Sequence, residues 1–180
     1  MKTESEVQAF DANFRGIFES EFSYVCRSLR RCGIRDRDID DLAHDVFLAM
    51  HMRFEDFDRT RPIKPWLFGI TFRVASHHRR RPGYQREGLD DASDTERRDM
   101  TPLADEQLDD HRKRAMVLEV LDTLDLDRRA VLIMHDLDEL PMRDVAETLG
   151  IPVFTAYSRL RVAREEFAAA ARRMRLRGET

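Results

Sequence analysis

Cysteine is scarce in this chain. Only Cys26 and Cys32 occur among 180 residues, and no further Cys or His stands at the short spacing a zinc site needs, which excludes a disulfide framework and a structural metal knuckle. The two thiols read as packing residues. Glycine (7) and proline (6) are few, and no stretch alternates apolar with polar residues long enough to make a half-buried strand. Helix is what remains. No window approaches about 18 consecutive apolar residues, and the opening MKTESEVQAF has no apolar run, so neither a membrane span nor a signal peptide is expected and a cytoplasmic location follows. There is no glycine-rich phosphate loop and no nucleophile set beside a base. An enzyme would have to recruit His44, Asp45, His51, His77 and His78, which form no ligand set of recognised metal spacing; no catalytic residue, metal or cofactor is expected.

One absence is local. The chain carries 35 acidic against 31 basic residues, yet residues 61–81, RPIKPWLFGITFRVASHHRRR, hold five arginines, a lysine and two histidines with no carboxylate at all. An electropositive stretch inside an acidic protein points to a polyanionic partner. Pro62 and Pro65 mark where its helix can begin. Trp66, Leu67, Ile70 and Val74 fall on an inward face, leaving Lys64, Arg73, Ser76, His77 and Arg80 on the free side.

Two helices precede it. Residues 7–32 repeat Phe10, Phe14, Ile17, Phe18, Phe22, Val25 and Leu29 at helical spacing, and Gly33 supplies a stop. Asp36 or Asp38 then caps a helix whose Ile39, Leu42, Ala43, Val46, Phe47 and Met50 make the clearest amphipathic stripe in the chain. Its other face displays Asp40, Asp41, His44, Asp45 and Leu48.

Residues 82–112 carry ten acidic residues against four arginines with almost no apolar periodicity. Such a segment buries too little surface to offset its ordering entropy and reads as a flexible acidic linker. The expected fold is therefore all-α: a helical body over 1–81, a connector over 82–112 and a second helical body over 113–180. Four helices are expected in the second body: one bearing Met116, Val117, Val120, Leu121 and Leu124; one capped by Asp127; a short one opened by Pro141; and a long one from about Val153 to Met174.

The last two have the anatomy of a helix-turn-helix. Ala146 allows close helix approach, Gly150 accepts the left-handed turn, and Ala156 and Leu160 pack inward while Thr155, Tyr157, Ser158, Arg159 and Arg161 face away. A helix start rich in donors can enter a major groove and bond phosphates and base edges.

Both halves together resemble the bacterial sigma-70 family, in particular its small two-domain extracytoplasmic-function (ECF) group. The segments DDLAHDVFLAM (40–50) and FDRTRPIKPWLFGITFRVASHHRRR (57–81) are similar to that family's polymerase-docking and promoter-opening helices. LDLDRRAVLIMHDLDELPMRDVAETLGIPVFTAYSRLRVAR (124–164) is similar to its DNA-reading helix-turn-helix. The ordered pair covers some two thirds of the chain.

The resemblance implies a promoter-specific initiation subunit that binds core RNA polymerase and promoter DNA. It implies docking on the clamp helices of the polymerase largest subunit through Asp40, Asp41, His44, Asp45 and Leu48. It implies capture of an extruded minus-ten base by the loop matched by residues 54–64, with phosphate contacts from Lys64, Arg73, Ser76, His77 and Arg80. It assigns minus-thirty-five contacts to Thr155, Tyr157, Ser158, Arg159, Arg161 and Arg164, and suggests an anti-sigma partner. Arg73 and His77 stand where the family often has Asn and Asp, His44-Asp45 where Gln-Glu is usual, Tyr157 replaces a frequent Lys and Val162 an arginine; these departures bear on which promoter is read. Two rival readings keep the helix-turn-helix or drop it: a regulator binding DNA without polymerase, and a protein-interaction module without DNA contact.

Overall fold

The computed structural model of the chain describes residues 4–81, Tyr84 and residues 105–178. Among the described residues there are seven α-helices and no strand: α1 (Glu4–Arg31), α2 (Asp36–Met52), α3 (Ile63–Arg79), α4 (Asp105–Asp122), α5 (Leu126–Leu132), α6 (Met142–Leu149) and α7 (Val153–Gly178). The first three pack on one another, while α4, α5 and α6 each pack on the long α7. The all-α reading holds.

The six apolar residues expected on α2 are all buried, and they meet Val25 and Leu29 of α1 and Leu67, Phe68 and Ile70 of α3 in one core. On α3 the buried side is Leu67, Phe68, Ile70, Thr71 and Ala75, with Trp66 and Val74 only half-buried. The buried Thr71 hydroxyl is satisfied locally, donating to the Leu67 carbonyl at 2.8 Å, so it needs no partner across the core.

Three expectations are corrected. Neither Asp36 nor Asp38 caps α2: Arg35 occupies the N-cap position without a side-chain bond, and both aspartates lie in the first turn, where the helix dipole favours negative charge. Asp127 does not cap α5; the Asp125 carboxylate does, accepting from the Asp127 backbone N–H at 3.0 Å. The third concerns the connector. Residues 105–112, read as linker, are the first two turns of α4; Glu106, Gln107, Leu108 and Arg112 are good helix formers, and a charged face hid the helix from a search for apolar stripes. Residues 85–104 of that connector, and the Phe10 side chain, lie outside the described residues.

The α6–α7 turn follows from its glycine. Gly150 has φ 66°, its N–H donates to the Glu147 carbonyl at 3.2 Å and the Ile151 N–H to the Ala146 carbonyl at 3.0 Å, which closes the helix end with both orphan carbonyls satisfied. Ala146, Ala156 and Leu160 are buried as expected.

The two groups of helices also touch, a contact the reading of two tethered bodies did not contain. Helix α3 meets α6 and α1 meets α4, and buried residues of both groups, Leu29 and Phe68 from one and Met134 and Val145 from the other, belong to one apolar cluster.

Candidate functional site

Three surfaces carry the residues singled out from the sequence. On α2, Asp40, Asp41, His44 and Asp45 are exposed, and Leu48 keeps 52% of its surface. Met52, 78% exposed, extends this acidic and apolar strip by one turn. Among the described residues these four polar side chains form no ion pair, because α2 spends its opposite face on the core.

The second surface lies on α3 and the loop before it. Lys64, Arg73, His77 and Arg80 are exposed and Ser76 half-buried. They do not form one cluster. Arg73 and His77, one turn apart, share a hollow of about 240 Å³ with Asp45 of α2, His78 and Arg81. Lys64 leans over the Tyr24 ring at 5.6 Å. A second cleft of about 250 Å³ opens where the loop meets α6: Arg53, Phe57, Arg61, Trp66 and Arg73 line it from one side, Asp144 and Glu147 from the other. The Phe57 and Trp66 rings stack with centroids 4.8 Å apart, a flat apolar wall beside three guanidinium groups. Arg53, Phe57 and Arg61 were not singled out by residue; the signal was the pair of phenylalanines and the arginines in the loop that leads into the carboxylate-free stretch, of which Arg61 is the first residue.

The third surface is the start of α7. Tyr157, Ser158, Arg161 and Arg164 are exposed, Thr155 and Arg159 half-buried. Its arginines are engaged within their own helical group: Arg159 with Asp127 at 3.0 Å, Arg161 with Glu165 at 2.8 Å, and Arg164 in a two-pronged pair with Asp136 at 2.9 and 2.7 Å. The Arg164 hydrogen bonds hold the Asp136 carboxyl below its usual range. Such surface pairs contribute only about 0–1 kcal/mol, so a phosphate can displace them at small cost. Phe154, 84% exposed, and Val153, 42% exposed, also stand on this surface. The sequence held a signal for them: two apolar residues off the inward register of Ala156, Leu160 and Ala163, directly after Pro152.

A π-helical turn, Ile133–Leu137, sets the far side of this region. It widens the end of α5, the Asp138 N–H donating back to the Ile133 carbonyl at 2.9 Å, and so turns Asp136 toward α7 and Asp138 toward the first helical group. Asp138 accepts from the Tyr24 hydroxyl at 2.8 Å and from Arg31 at 2.9 Å. Burial, reinforced by the neighbouring Asp138 charge, pushes the Tyr24 phenol well above its ordinary value. Burial likewise pushes the Cys32 thiol up to about 12, which leaves it inert and bears out its reading as a packing residue.

Among the described residues, no group of three or more His, Cys, Asp or Glu side chains is placed to hold a metal ion, and no helix is long and apolar enough to cross a membrane.

Comparison with known proteins gives these surfaces their context. The chain matches the family models for sigma-70 region 2 over residues 17–83 and sigma-70 region 4 over residues 114–167. It is 33% identical over 132 residues to RNA polymerase sigma factor HrpL of Pseudomonas syringae pv. syringae, covering 71% of this chain and 70% of that one. It is 26% identical over 147 residues to RNA polymerase sigma factor NccH of Alcaligenes xylosoxydans xylosoxydans, covering 81% and 79%. The fold is similar to that of the sigma factor RpoE from Bartonella quintana, solved with the anti-sigma factor NepR, at TM-score 0.67 and 18% identity over 89% of this chain and 97% of that one. It is also similar to that of CnrH, solved with the cytosolic domain of CnrY, at TM-score 0.61 and 22% identity over 91% and 92%. With an acidic face, a basic helix and a helix-turn-helix arrayed in the order of those regions, the chain belongs to the sigma-70 family as an ECF RNA polymerase sigma factor.

Proposed function

We propose that the three surfaces divide the work of promoter-specific initiation among themselves. The exposed α2 strip of Asp40, Asp41, His44, Asp45 and Leu48 docks on the clamp helices of the polymerase largest subunit, its carboxylates steering association and fixing register while Leu48 supplies apolar contact. The loop over 54–64 and the outer side of α3 hold the opened minus-ten element. Unstacking a base costs a few kcal/mol; the Phe57–Trp66 wall offers a stacking surface, and Lys64, Arg73, Ser76, His77 and Arg80 supply phosphate contacts that offset the cost. The start of α7 reads the minus-thirty-five element, with Thr155, Tyr157, Ser158, Arg159, Arg161 and Arg164 facing DNA. Phe154 and the Tyr157 ring add apolar surface suited to thymine methyl groups.

The observation that carries this reading is the order of surfaces along one chain: a bare acidic helix face, then a carboxylate-free basic helix, then a helix-turn-helix. A DNA-binding regulator has no use for the first two. Their parent units correspond to residues 1–81 and 113–180, with α4 beginning inside the connector. The work is capture of melted strand rather than bond chemistry, and it belongs in the cytoplasm, where polymerase and chromosome are. An anti-sigma partner also fits, since a similar fold has been solved with the anti-sigma factor NepR bound.

The test is reconstitution with core polymerase and mapping of start sites on genomic DNA. Specific initiation supports the assignment; dimeric binding to a palindrome without polymerase would replace it with the regulator reading.

A further inference from the structure

We propose that α7 carries a second DNA-binding surface at its far end, where Arg172, Arg173, Arg175 and Arg177 grip the phosphate backbone of the duplex beside the minus-thirty-five element without reading its bases. The proposal rests on the reading of the start of α7 as the part that enters that element. This end of the helix lies beyond residues 114–167, the stretch matched to sigma-70 region 4, and no role given to the three surfaces uses it.

Residues 167–178, FAAAARRMRLRG, hold four arginines and no carboxylate. All four are exposed. None forms an ion pair among the described residues, and Arg172 only donates to the Ala168 carbonyl at 3.2 Å. The positions one turn back, where a carboxylate would pair along the helix, hold Ala168, Ala169 and Ala171 for the first three and Arg173 for the last. Arg161, near the start of the same helix, has such a partner in Glu165 at 2.8 Å. One helix thus engages its arginines at one end and leaves them bare at the other. The helix dipole favours cations in the last turn only, which accounts for Arg175 and Arg177 but not for Arg172 and Arg173.

These cations ride on a stiff support. The consecutive alanines from Ala168 to Ala171, the strongest of helix formers, carry α7 onward, and its inward side stays anchored by the buried Ala170 and the half-buried Phe167 and Met174. The guanidiniums are therefore fixed in register with the reading start. At about 1.5 Å per residue, Arg172 stands about 12 Å past Arg164 and Arg177 about 20 Å past it, against a major groove about 12 Å wide. A helix whose first turns enter the groove brings these groups to the phosphates on its border, as the C-terminal end of the homeodomain reading helix meets the backbone. Arginine suits that task, since its planar fork binds a phosphate through two parallel hydrogen bonds. The four also fan around the helix instead of forming one stripe, which fits gripping a backbone better than reading a row of base edges.

Holoenzyme built from core polymerase and the full-length chain tests this on a fluorescein-labelled duplex carrying the minus-thirty-five element of a mapped start site with its flanking base pairs. In Arg172→Ala/Arg173→Ala/Arg175→Ala/Arg177→Ala, alanine preserves the helix. Duplex affinity at moderate salt should fall at least about tenfold, and the slope of log affinity on log salt should become shallower by about 2–3, since each lost phosphate contact removes about 0.9. Arg172→Lys/Arg173→Lys/Arg175→Lys/Arg177→Lys should recover most of both. The ratio of affinities for the native and a scrambled element should not change, because phosphate contacts position without specifying. Single alanine variants, each expected to flatten the slope by up to about 0.9, repeat the test should the fourfold replacement disturb folding. Affinity and slope equal to those of the native chain, a changed specificity ratio, or loss of co-elution with core polymerase would each overturn the proposal. If the native holoenzyme did not prefer the element to its scrambled form, the reading of the start of α7 would fall, while the slope would still judge the arginines at its end.

Discussion

The acidic face of α2 and the arginine-rich start of α7 are opposites in more than sign. Asp40, Asp41, His44 and Asp45 project into solvent and form no ion pair among the described residues, whereas Arg159, Arg161 and Arg164 are each held by a carboxylate of their own helical group, and Arg61 by Glu147. A bare charged face is ready for a partner at no cost in broken contacts. A paired one must trade contacts, which weakens binding to any polyanion and leaves discrimination to geometry. If α2 docks on polymerase and α3 and α7 hold DNA, as proposed, the docking surface is poised and the DNA surfaces are restrained, an order suited to a subunit that meets polymerase before promoter. Arg73 and the arginines at the far end of α7, which have no ion-pair partner among the described residues, are exceptions on the DNA side.

The sharpest break of that contrast is charge reversal on the bare face. Asp41→Lys/Asp45→Lys should weaken assembly with core polymerase at least about 100-fold, since reversing charges in a charge-matched interface costs several kcal/mol, while helix content stays native; co-elution and circular dichroism read the two. Normal assembly would remove α2 from the docking role.

The next largest effect tests restraint inside the fold. Arg129 is fully buried, its guanidinium bonded to Asp122 at 2.6 Å and to the Leu124 carbonyl at 3.0 Å. Burial pulls its pKa down, and the Asp122 charge opposes that. Asp122 is itself half exposed, so Asp122→Ala should cost about 2 kcal/mol rather than the larger figure for a wholly buried pair. Urea unfolding measures it, and an unmoved midpoint would mean the guanidinium needs no such partner.

Smaller again is the Tyr24 contact. Because the folded state raises this phenol above the ordinary 10.0, the unfolded chain loses the proton first. The associated stability is intact below pH 10.0 and falls as the solution becomes more alkaline than that. Tyr24→Phe should lower stability by about 1 kcal/mol at neutral pH and flatten the alkaline decline. A decline of the same steepness in both proteins would assign it to other groups.

The smallest effect concerns reading. Phe154→Ala should weaken holoenzyme binding to upstream promoter DNA by about 3–10-fold, in line with loss of one apolar base contact. Replacing thymine by deoxyuridine in that element, which removes only methyl groups, should penalise the native protein and not the variant. Equal penalties would place the methyl contact elsewhere.

Much of this was legible before any coordinates. The α2 stripe was read residue for residue because apolar positions spaced by three and four fall on one face only in a helix, and the α6–α7 turn was read from Gly150 because few other residues accept its backbone angle. Helix caps were less legible: several aspartates near each start could serve, and only backbone geometry chose Asp125 over Asp127. The start of α4 was hidden because its described stretch of charge carries no apolar period. Among site residues, the exposed positions on α2 and α7 were found from their register, but the partners of the arginines were not, since Asp127, Asp136 and Glu147 come from other helices.

Local pattern therefore determined the helices, the faces they bury and the order of acidic, basic and reading surfaces along the chain, because each depends on spacing within about two turns of helix. Tertiary structure alone decided that Glu147 reaches Arg61, that Asp138 joins Tyr24 to Arg31, and that α6 closes one side of the cleft formed by the loop before α3. Those contacts join residues 86, 114 and 107 positions apart, and no periodicity in a sequence can specify which distant carboxylate meets which cation.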